Sequence, residues 1–196
     1  MPTPNILLLV SDQERQRDWL PEDFALPNRQ RLIDAGLEFT NHYTHSSPCS
    51  PSRATLFTGQ YLAEHGVTEN STGPNNPDLA HDAVTLGHLL RDQGYDTAFK
   101  GKWHLEATPT PDMEAYGFSD WEGDDRAWWG LAGTGTEYDG PIAQQSADWL
   151  RARSGDQPWF LAVGLVNPHD IMWFPIDQPW YWKRDPEYYE KVRSVM

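Results

Sequence analysis

Continuous runs of apolar residues mark the candidate strands of this chain. Residues 5–10 read Asn-Ile-Leu-Leu-Leu-Val, and residues 158–166 form a second run of the same kind. Apolar runs of this length without polar alternation are typical of strands buried on both faces of a parallel sheet. Residues 95–99 form a shorter candidate strand, and residues 37–43 alternate loosely between apolar and polar positions. The pattern therefore predicts four strands.

Helical patterns separate these strands. Residues 85–93 place Leu86, Leu89 and Leu90 on one face and are followed by Gly94, a residue type that ends helices. Proline, glycine and capping signals predict further helices over residues 27–35, 49–58, 141–151 and 185–195. Strands that alternate with helices predict an α/β fold with a mostly parallel sheet.

Aromatic residues are concentrated in segments that have no regular pattern. The irregular stretch 109–139 holds Trp121, Trp128 and Trp129. A second cluster contains Trp173, Trp180, Tyr181 and Trp182. Tryptophans in loops line substrate pockets in some proteins, but packing against the core is their commoner use.

Composition and charge narrow the class of protein and of partner. A length of 196 residues fits one domain with a sizeable core. The formal net charge of −14 disfavours nucleic acid and anionic membranes as partners, so an anionic substrate must be attracted by a local positive site. The first residues lack a basic region, and the run 5–10 is too short for a signal sequence or a membrane span. With one cysteine and no internal disulfide, we expect a cytoplasmic protein.

Polar residues follow three of the candidate strands, at the sheet edge where open α/β folds bind ligands. Asp12 follows the first strand, Lys102 and His104 follow the third, and His169 follows the last. Each has a plainer interpretation: Ser11-Asp12 as a helix cap, Lys102 as a solvated cation, His169 as a loop residue. In an extended segment Lys102 and His104 would point the same way, giving one wall with a cation and an imidazole.

The single cysteine stands at the start of a predicted helix. Pro51 suits the first turn of that helix, and Arg53 lies one turn from Cys49 on the same face. Free backbone N–H groups and the helix dipole favour an anion or an anionic nucleophile at this end. A buried structural thiol is the alternative, and the polar neighbours Ser50 and Ser52 argue against it.

Taken in order, these clusters resemble the type I, formylglycine-dependent sulfatases. Residues 49–59 read Cys-Ser-Pro-Ser-Arg, a short apolar stretch and Thr-Gly, which is similar to the signature of that family. The Gly-Lys-Trp-His stretch ending at His104 and the Pro-His pair ending at His169 match two further positions. The resemblance implies the three-layer alkaline-phosphatase-like fold, a mostly parallel sheet with helices on both faces. It also implies that residues 1–196 are the N-terminal portion of a sulfatase catalytic domain, so that the fold is incomplete.

The resemblance also implies a cofactor and a modification. A formylglycine-generating maturation enzyme would convert Cys49 into formylglycine, the nucleophile of the family. Asp12, the modified Cys49 and Ser11 would be ligands of calcium or another divalent metal. Ser11 stands where the family has an aspartate, so one negative charge is missing from the metal shell.

The remaining roles carried over from the family concern the substrate. Arg53 and Lys102 would balance charge, and Lys102 and His104 would bind the sulfate and the formylglycine oxygens. His169 would contact the ester, and either His104 or His169 would assist departure of the alcohol. The function implied is hydrolysis of a small-molecule sulfate ester, as in arylsulfatases.

Two other functions stay open from the sequence. Phosphonate monoester or phosphodiester hydrolysis occurs in the same superfamily with the same modified cysteine. The other is that the chain is a non-catalytic, truncated fragment that only binds anions or a partner chain. This alternative is supported because the family's later metal-binding pair is missing, and Asp96, Asp139 and Asp170 do not match that pair. The missing C-terminal part of the same protein is therefore an expected partner.

Overall fold

The computed structural model describes residues 3–15, 20–72, 75–107, 113–122 and 134–169, and three positions further on. The predicted terminal helix lies outside these ranges except for Pro186, Glu187 and Glu190, which are helical. Several residues named above also lie outside the described residues: Trp128, Trp129, Asp170, Trp173, Trp180, Tyr181 and Trp182. Within the described part of the chain, no helix combines the length and apolar character needed to cross a membrane.

The described strands form one sheet of three parallel strands. They are β1 (Ile6–Asp12), β2 (Asp96–Gly101) and β3 (Trp159–Pro168), in the order β1-β3-β2. Leu8 of β1 pairs with Ala162 of β3, and Phe99 of β2 pairs with the same residue from the other side. Three predicted strands and their parallel direction are therefore confirmed. Because the strands are parallel, their carboxyl ends meet at one edge.

The helices of the described ranges are α1 (Pro27–Ala35), α2 (Cys49–Thr58), α3 (Leu62–His65), α4 (Leu86–Arg91) and α5 (Thr134–Arg151), with a 3-10 turn at Met113–Tyr116. Successive side chains of a strand point to opposite faces, so each face of the sheet has its own core. On one face, Phe160 packs with Phe57 of α2. On the other, Leu161 and Val163 pack with Ile142 of α5. Helices on both faces are thus confirmed.

The segment after β1 departs from the prediction. Residues 37–43 form no strand, and Leu37 and Phe39 are 79% and 74% exposed. Helix α1 has the predicted bounds, but none of its residues is buried.

The burial of β1 also differs from the prediction. β1 is an outer strand of the three-stranded sheet, and Leu7 and Leu9 are 43% and 52% exposed. The prediction of a strand buried on both faces is therefore wrong for β1. An apolar run indicates a strand but does not indicate whether a neighbour covers both faces.

Two helices also differ from their predicted form. Helix α4 is shorter than predicted, and Leu89 is 53% exposed rather than inward. Helix α5 begins at Thr134 and contains Pro141 in its interior, whereas proline was expected at its start. A proline inside a helix removes one backbone hydrogen bond, at a cost of about 3 kcal/mol. Packing of Tyr138 and Ile142 against the sheet offsets that cost. The local sequence around Pro141 does not predict this packing.

Candidate active site

Four elements deliver side chains to the carboxyl edge of the sheet. Asp12 is the last residue of β1, Lys102 follows β2, and His169 follows β3. Cys49 is the first residue of α2, and Gly59, in the left-handed conformation with φ of 68°, ends that helix. The structure therefore places Cys49 at a helix N-terminus, where the sequence predicted it.

Asp12 is the centre of the group. Its Oδ2 lies 2.5 Å from Lys102 Nζ and 3.4 Å from Arg53 Nη2. The Cys49 thiol donates to the other oxygen, Oδ1, at 3.4 Å. The side chains of Lys102, Arg53 and Asp12 are 0%, 5% and 8% exposed. Two buried cations therefore share one buried carboxylate next to the cysteine.

Burial and charge fix the ionisation of this group. Burial by itself raises the pKa of Asp12, but Arg53 and Lys102 outweigh it and lower the pKa to about 2. Burial, followed by the charges of Lys102 and Arg53, lowers the pKa of His104 to about 3. At neutral pH the Asp12 carboxylate is charged and the His104 imidazole is neutral.

Two glycines allow the close packing around Lys102. Gly101 has φ of 82°, and a Cβ there would collide with the carbonyl oxygen of Gly164. A Cβ on Gly164 would in turn meet the Lys102 carbonyl oxygen and lie 3.2 Å from Arg53 Nη1. Arg53 Nη1 donates to that same carbonyl at 2.6 Å. The absence of side chains at Gly101 and Gly164 thus leaves room for Arg53 to hold the backbone of Lys102. The charged groups of Arg53 and Lys102 both contact Asp12.

His104 reaches the group in a way that the sequence did not predict. Its φ is 58°, in the left-handed region, so residues 102–104 are not the extended segment that was expected. Non-glycine residues in this region store strain and are concentrated at functional sites. The Ser50 hydroxyl holds this turn by donating to the His104 carbonyl at 2.6 Å.

Ser50 and Asn70 are site residues to which the sequence analysis gave no role. The Ser50 backbone N–H donates to Asn70 Oδ1 at 3.0 Å, and the Ser71 N–H donates to the Ser50 hydroxyl at 3.0 Å. Ser50 is fully buried and so links the start of α2 to two loops. The signal available in the sequence was the position of Ser50, a polar residue directly after Cys49 in a helix that also buries Ala54 and Phe57.

Asp12, Cys49 and His169 could hold a metal ion. One ligand atom from each lies within 4.8 Å of the other two. These atoms are an oxygen, a sulfur and a nitrogen, whereas calcium takes six to eight oxygens. The three side chains therefore fit a divalent metal in number but do not complete a calcium shell.

Ser11 is directed elsewhere. Its hydroxyl donates to Glu14 Oε2 at 2.5 Å, and Glu14 forms an ion pair with Arg29. This contact does not support Ser11 as a metal ligand. The other predicted site residues, Asp12, Cys49, Arg53, Lys102, His104 and His169, come together as expected, and their chemical roles stay predictions.

Comparisons with known proteins give the site its family context. The model of the family described as Sulfatase matches residues 4–195. Human (Homo sapiens) steryl-sulfatase is 38% identical over 111 residues, which cover 52% of this chain and 19% of that protein. The choline-sulfatase of Rhizobium meliloti is 30% identical over 203 residues, covering 85% of this chain and 38% of that protein. A solved structure in complex with its substrate D-glucosamine-2-N,6-O-disulfate has a TM-score of 0.64 and 25% identity, covering 85% of this chain and 35% of that one. The chain thus spans about a fifth to two fifths of the length of these relatives.

Proposed function

Because the chain belongs to the sulfatase family and has the architecture of part of the alkaline-phosphatase-like fold, we propose that it supplies the nucleophile and the sulfate-binding side chains for hydrolysis of a sulfate ester. One observation carries this proposal. Lys102 and Arg53, both buried, meet the single carboxylate of Asp12 beside Cys49 at the N-terminus of α2.

The charges favour an anion at this position. Two cations against one carboxylate leave a buried excess of positive charge, and a sulfate ester carries one negative charge. In the described part of the chain, Lys102 Nζ makes no hydrogen bond beyond its ion pair with Asp12, so its other N–H groups would be the donors to sulfate oxygens. Charge-assisted hydrogen bonds of this kind are stronger than neutral ones.

The chemistry divides between a modification, a metal and the side chains. Conversion of Cys49 to formylglycine would supply a nucleophilic oxygen in place of the thiol. A divalent metal, when bound, would supply Lewis-acid polarisation of the sulfate oxygens, with Asp12 as its carboxylate ligand. We propose calcium or another divalent metal: an oxygen of formylglycine in place of the Cys49 sulfur would suit calcium better, and the remaining ligands would come from outside the described residues. Residues 1–196 would accordingly be the N-terminal portion of a longer catalytic domain.

The two histidines take different roles in this proposal. His104 is partly buried, and its lowered pKa leaves the imidazole neutral at neutral pH, so it suits hydrogen bonding to sulfate oxygens rather than donation of a proton from imidazolium. His169 lies at the end of β3, close enough to Asp12 and Cys49 to reach a bound ester. We assign to it contact with the sulfate group and the proton transfer to the departing alcohol oxygen.

The first experiment reads the modification directly. The chain is produced with a formylglycine-generating enzyme and cleaved with trypsin, which releases residues 32–53 as one peptide. Mass spectrometry should show the loss of the thiol at Cys49, and Cys49→Ala should be unchanged by the enzyme. A thiol that persists in the presence of an active maturation enzyme would refute the mechanism.

The second experiment tests the anion site without requiring turnover. Calorimetric titration with inorganic sulfate should show binding that Lys102→Ala abolishes. The matched control is Lys100→Ala, because Lys100 is a buried lysine two residues away whose ammonium contacts Glu122 and Asp120 instead. Equal affinity in the two variants would overturn the assignment. Parallel assays with an aryl sulfate and an aryl phosphonate ester would then separate sulfatase from phosphonate hydrolase activity.

A further inference from the structure

The carboxyl end of β3 departs from regular pairing just before it reaches the site. Val10 of β1 pairs with Gly164 of β3, but Asp12, two residues later, pairs with Pro168, four residues later. The pairing of β3 with β2 ends at the same glycine. Between Gly164 and Pro168, β3 therefore bulges out of the ladder. Bulges re-aim side chains and are common next to active sites.

A bulge removes backbone groups from the ladder, and a buried N–H group needs another partner. The carboxylate of Asp139 provides it for two consecutive residues. Its Oδ1 accepts from the Val166 N–H at 2.6 Å, and its Oδ2 accepts from the Asn167 N–H at 2.9 Å. Both oxygens of one charged side chain thus hold the bulged strand end, in the geometry of strong charge-assisted hydrogen bonds.

The held segment leads directly to the site. Pro168 and His169 follow Asn167, and His169 is 9% exposed with a ring nitrogen near Asp12 and Cys49. Asp139 itself stands on α5, which packs through Ile142 and Trp149 against the sheet face that carries Leu161 and Val163. A rigid element is therefore connected to the backbone that aims His169.

We propose that Asp139 is a positioning residue for His169: by holding the bulge of β3, it fixes where the imidazole lies relative to Asp12 and Cys49. The effect of this positioning on sulfate binding and turnover rests on the proposed function. The positioning itself rests only on the two hydrogen bonds between Asp139 and the β3 backbone. No local pattern indicates this role, because Asp139 holds backbone amides 27 and 28 positions away.

The test compares one substitution at two sites of α5. Asp139→Asn keeps the size of the side chain but turns an amide NH₂ toward a backbone N–H. Asp148→Asn is the matched control, because the Asp148 carboxylate is 60% exposed and contacts Gln144 and Arg151 on its own helix. Hydrogen exchange by NMR should show the Val166 and Asn167 amides exchanging about tenfold faster or more in Asp139→Asn alone. The ring ¹H and ¹⁵N shifts of His169 should move in the same variant.

A double-mutant cycle separates positioning from a general structural role. Asp139→Asn should weaken binding of inorganic sulfate about tenfold in the parent chain. In the His169→Ala background it should weaken binding less than twofold, since the side chain that it positions is gone. Equal weakening in both backgrounds would show that Asp139 acts on the fold in general, and the proposal would be wrong.

The outcomes also separate this proposal from the proposed function. If the parent chain does not bind sulfate, the proposed function fails, and the amide exchange and the His169 shifts still decide the role of Asp139. If Asp139→Asn does not fold, the unaltered chain provides the test. Val166 and Asn167 amides that exchange as fast as exposed amides would overturn the proposal, and protected ones would support it.

Discussion

Replacing Lys102 by methionine should destabilise the chain by an amount that depends on pH. The Lys102 ammonium is fully buried and lies 2.5 Å from Asp12 Oδ2. Methionine keeps the length and the apolar stem but removes the charge. Asp12 would then keep Arg53 as its cation, at 3.4 Å, while its burial is unchanged. Removing one partner of a buried ion pair typically costs about 3–5 kcal/mol, because the other charge is left poorly compensated.

The pH dependence follows from the pKa of Asp12. Its folded value of about 2 lies below its ordinary value of 3.8, so the ionised carboxylate stabilises the fold above about pH 4. That difference corresponds to about 2 kcal/mol at pH 6, of which about 1 kcal/mol is lost by pH 3. In Lys102→Met the pKa of Asp12 should rise, and this source of acid sensitivity should disappear. The difference in stability between parent and variant should therefore shrink by about 1 kcal/mol or more from pH 6 to pH 3.

Urea unfolding at pH 6, 4.5 and 3 measures this difference. Lys100→Met is the control, because Lys100 pairs with Glu122, whose side chain is 50% exposed. Water can solvate the half-exposed Glu122 carboxylate when the ammonium is removed, although the Asp120 carbonyl also loses its donor. The control should therefore lose less stability than Lys102→Met, and its difference from the parent should change less with pH. The free energy of unfolding of Lys102→Met could instead lie as far below that of the parent at pH 3 as at pH 6. In that case the ion pair does not set the pKa of Asp12, and the reasoning is refuted.

Four further predictions concern the same site. Cys49→Ala should abolish turnover of an aryl sulfate and leave the circular dichroism spectrum unchanged; measurable turnover would refute its role as nucleophile. Lys102→Ala and His169→Ala should each lower kcat about a hundredfold, or about 3 kcal/mol, and near-parental rates in both would remove these assignments. Ser50→Ala should cost about 1–3 kcal/mol in thermal unfolding, because it leaves the His104 carbonyl and a backbone N–H without their buried partner. For residues 1–196 alone, calorimetry should show weak calcium binding and an aryl sulfate assay should show little turnover, so the rate comparisons above apply to the complete catalytic domain; tight calcium binding would show that the ligands are complete within this chain.

Local sequence patterns were sufficient for the elements that carry the site. Apolar runs identified β1 and β3, and residues 95–99 were a shorter candidate for β2. Proline and glycine signals identified α2 from Cys49 to its left-handed stop at Gly59. Parallel strands place their carboxyl ends at one edge, so the meeting of Asp12, Lys102 and His169 could also be predicted. These features depend on burial and on conformational preferences within a few residues, which a sequence displays directly.

Local patterns failed where the outcome depended on neighbours distant in sequence. The apolar runs did not indicate that β1 would be an edge strand, nor that residues 37–43 would form no strand and stay exposed. Pro141 suggested the start of a helix, but packing of α5 against the sheet keeps it in the helix interior. The pattern of apolar and polar residues shows which side chains are apolar, but it does not show which strand or helix of the fold covers them.

The tertiary structure alone decided how the site is held. Ser50 bonds to the carbonyl of His104, and Asp139 bonds to the amides of Val166 and Asn167. These contacts join residues 54, 27 and 28 positions apart and end on backbone atoms, which are the same in every residue. They leave no periodicity, motif or composition in the sequence, and only the folded chain brings their two ends together. The nucleophile and the charged side chains of the site could therefore be predicted from the sequence, whereas the residues that orient them, such as Ser50 and Asp139, are identified only by their contacts in the fold.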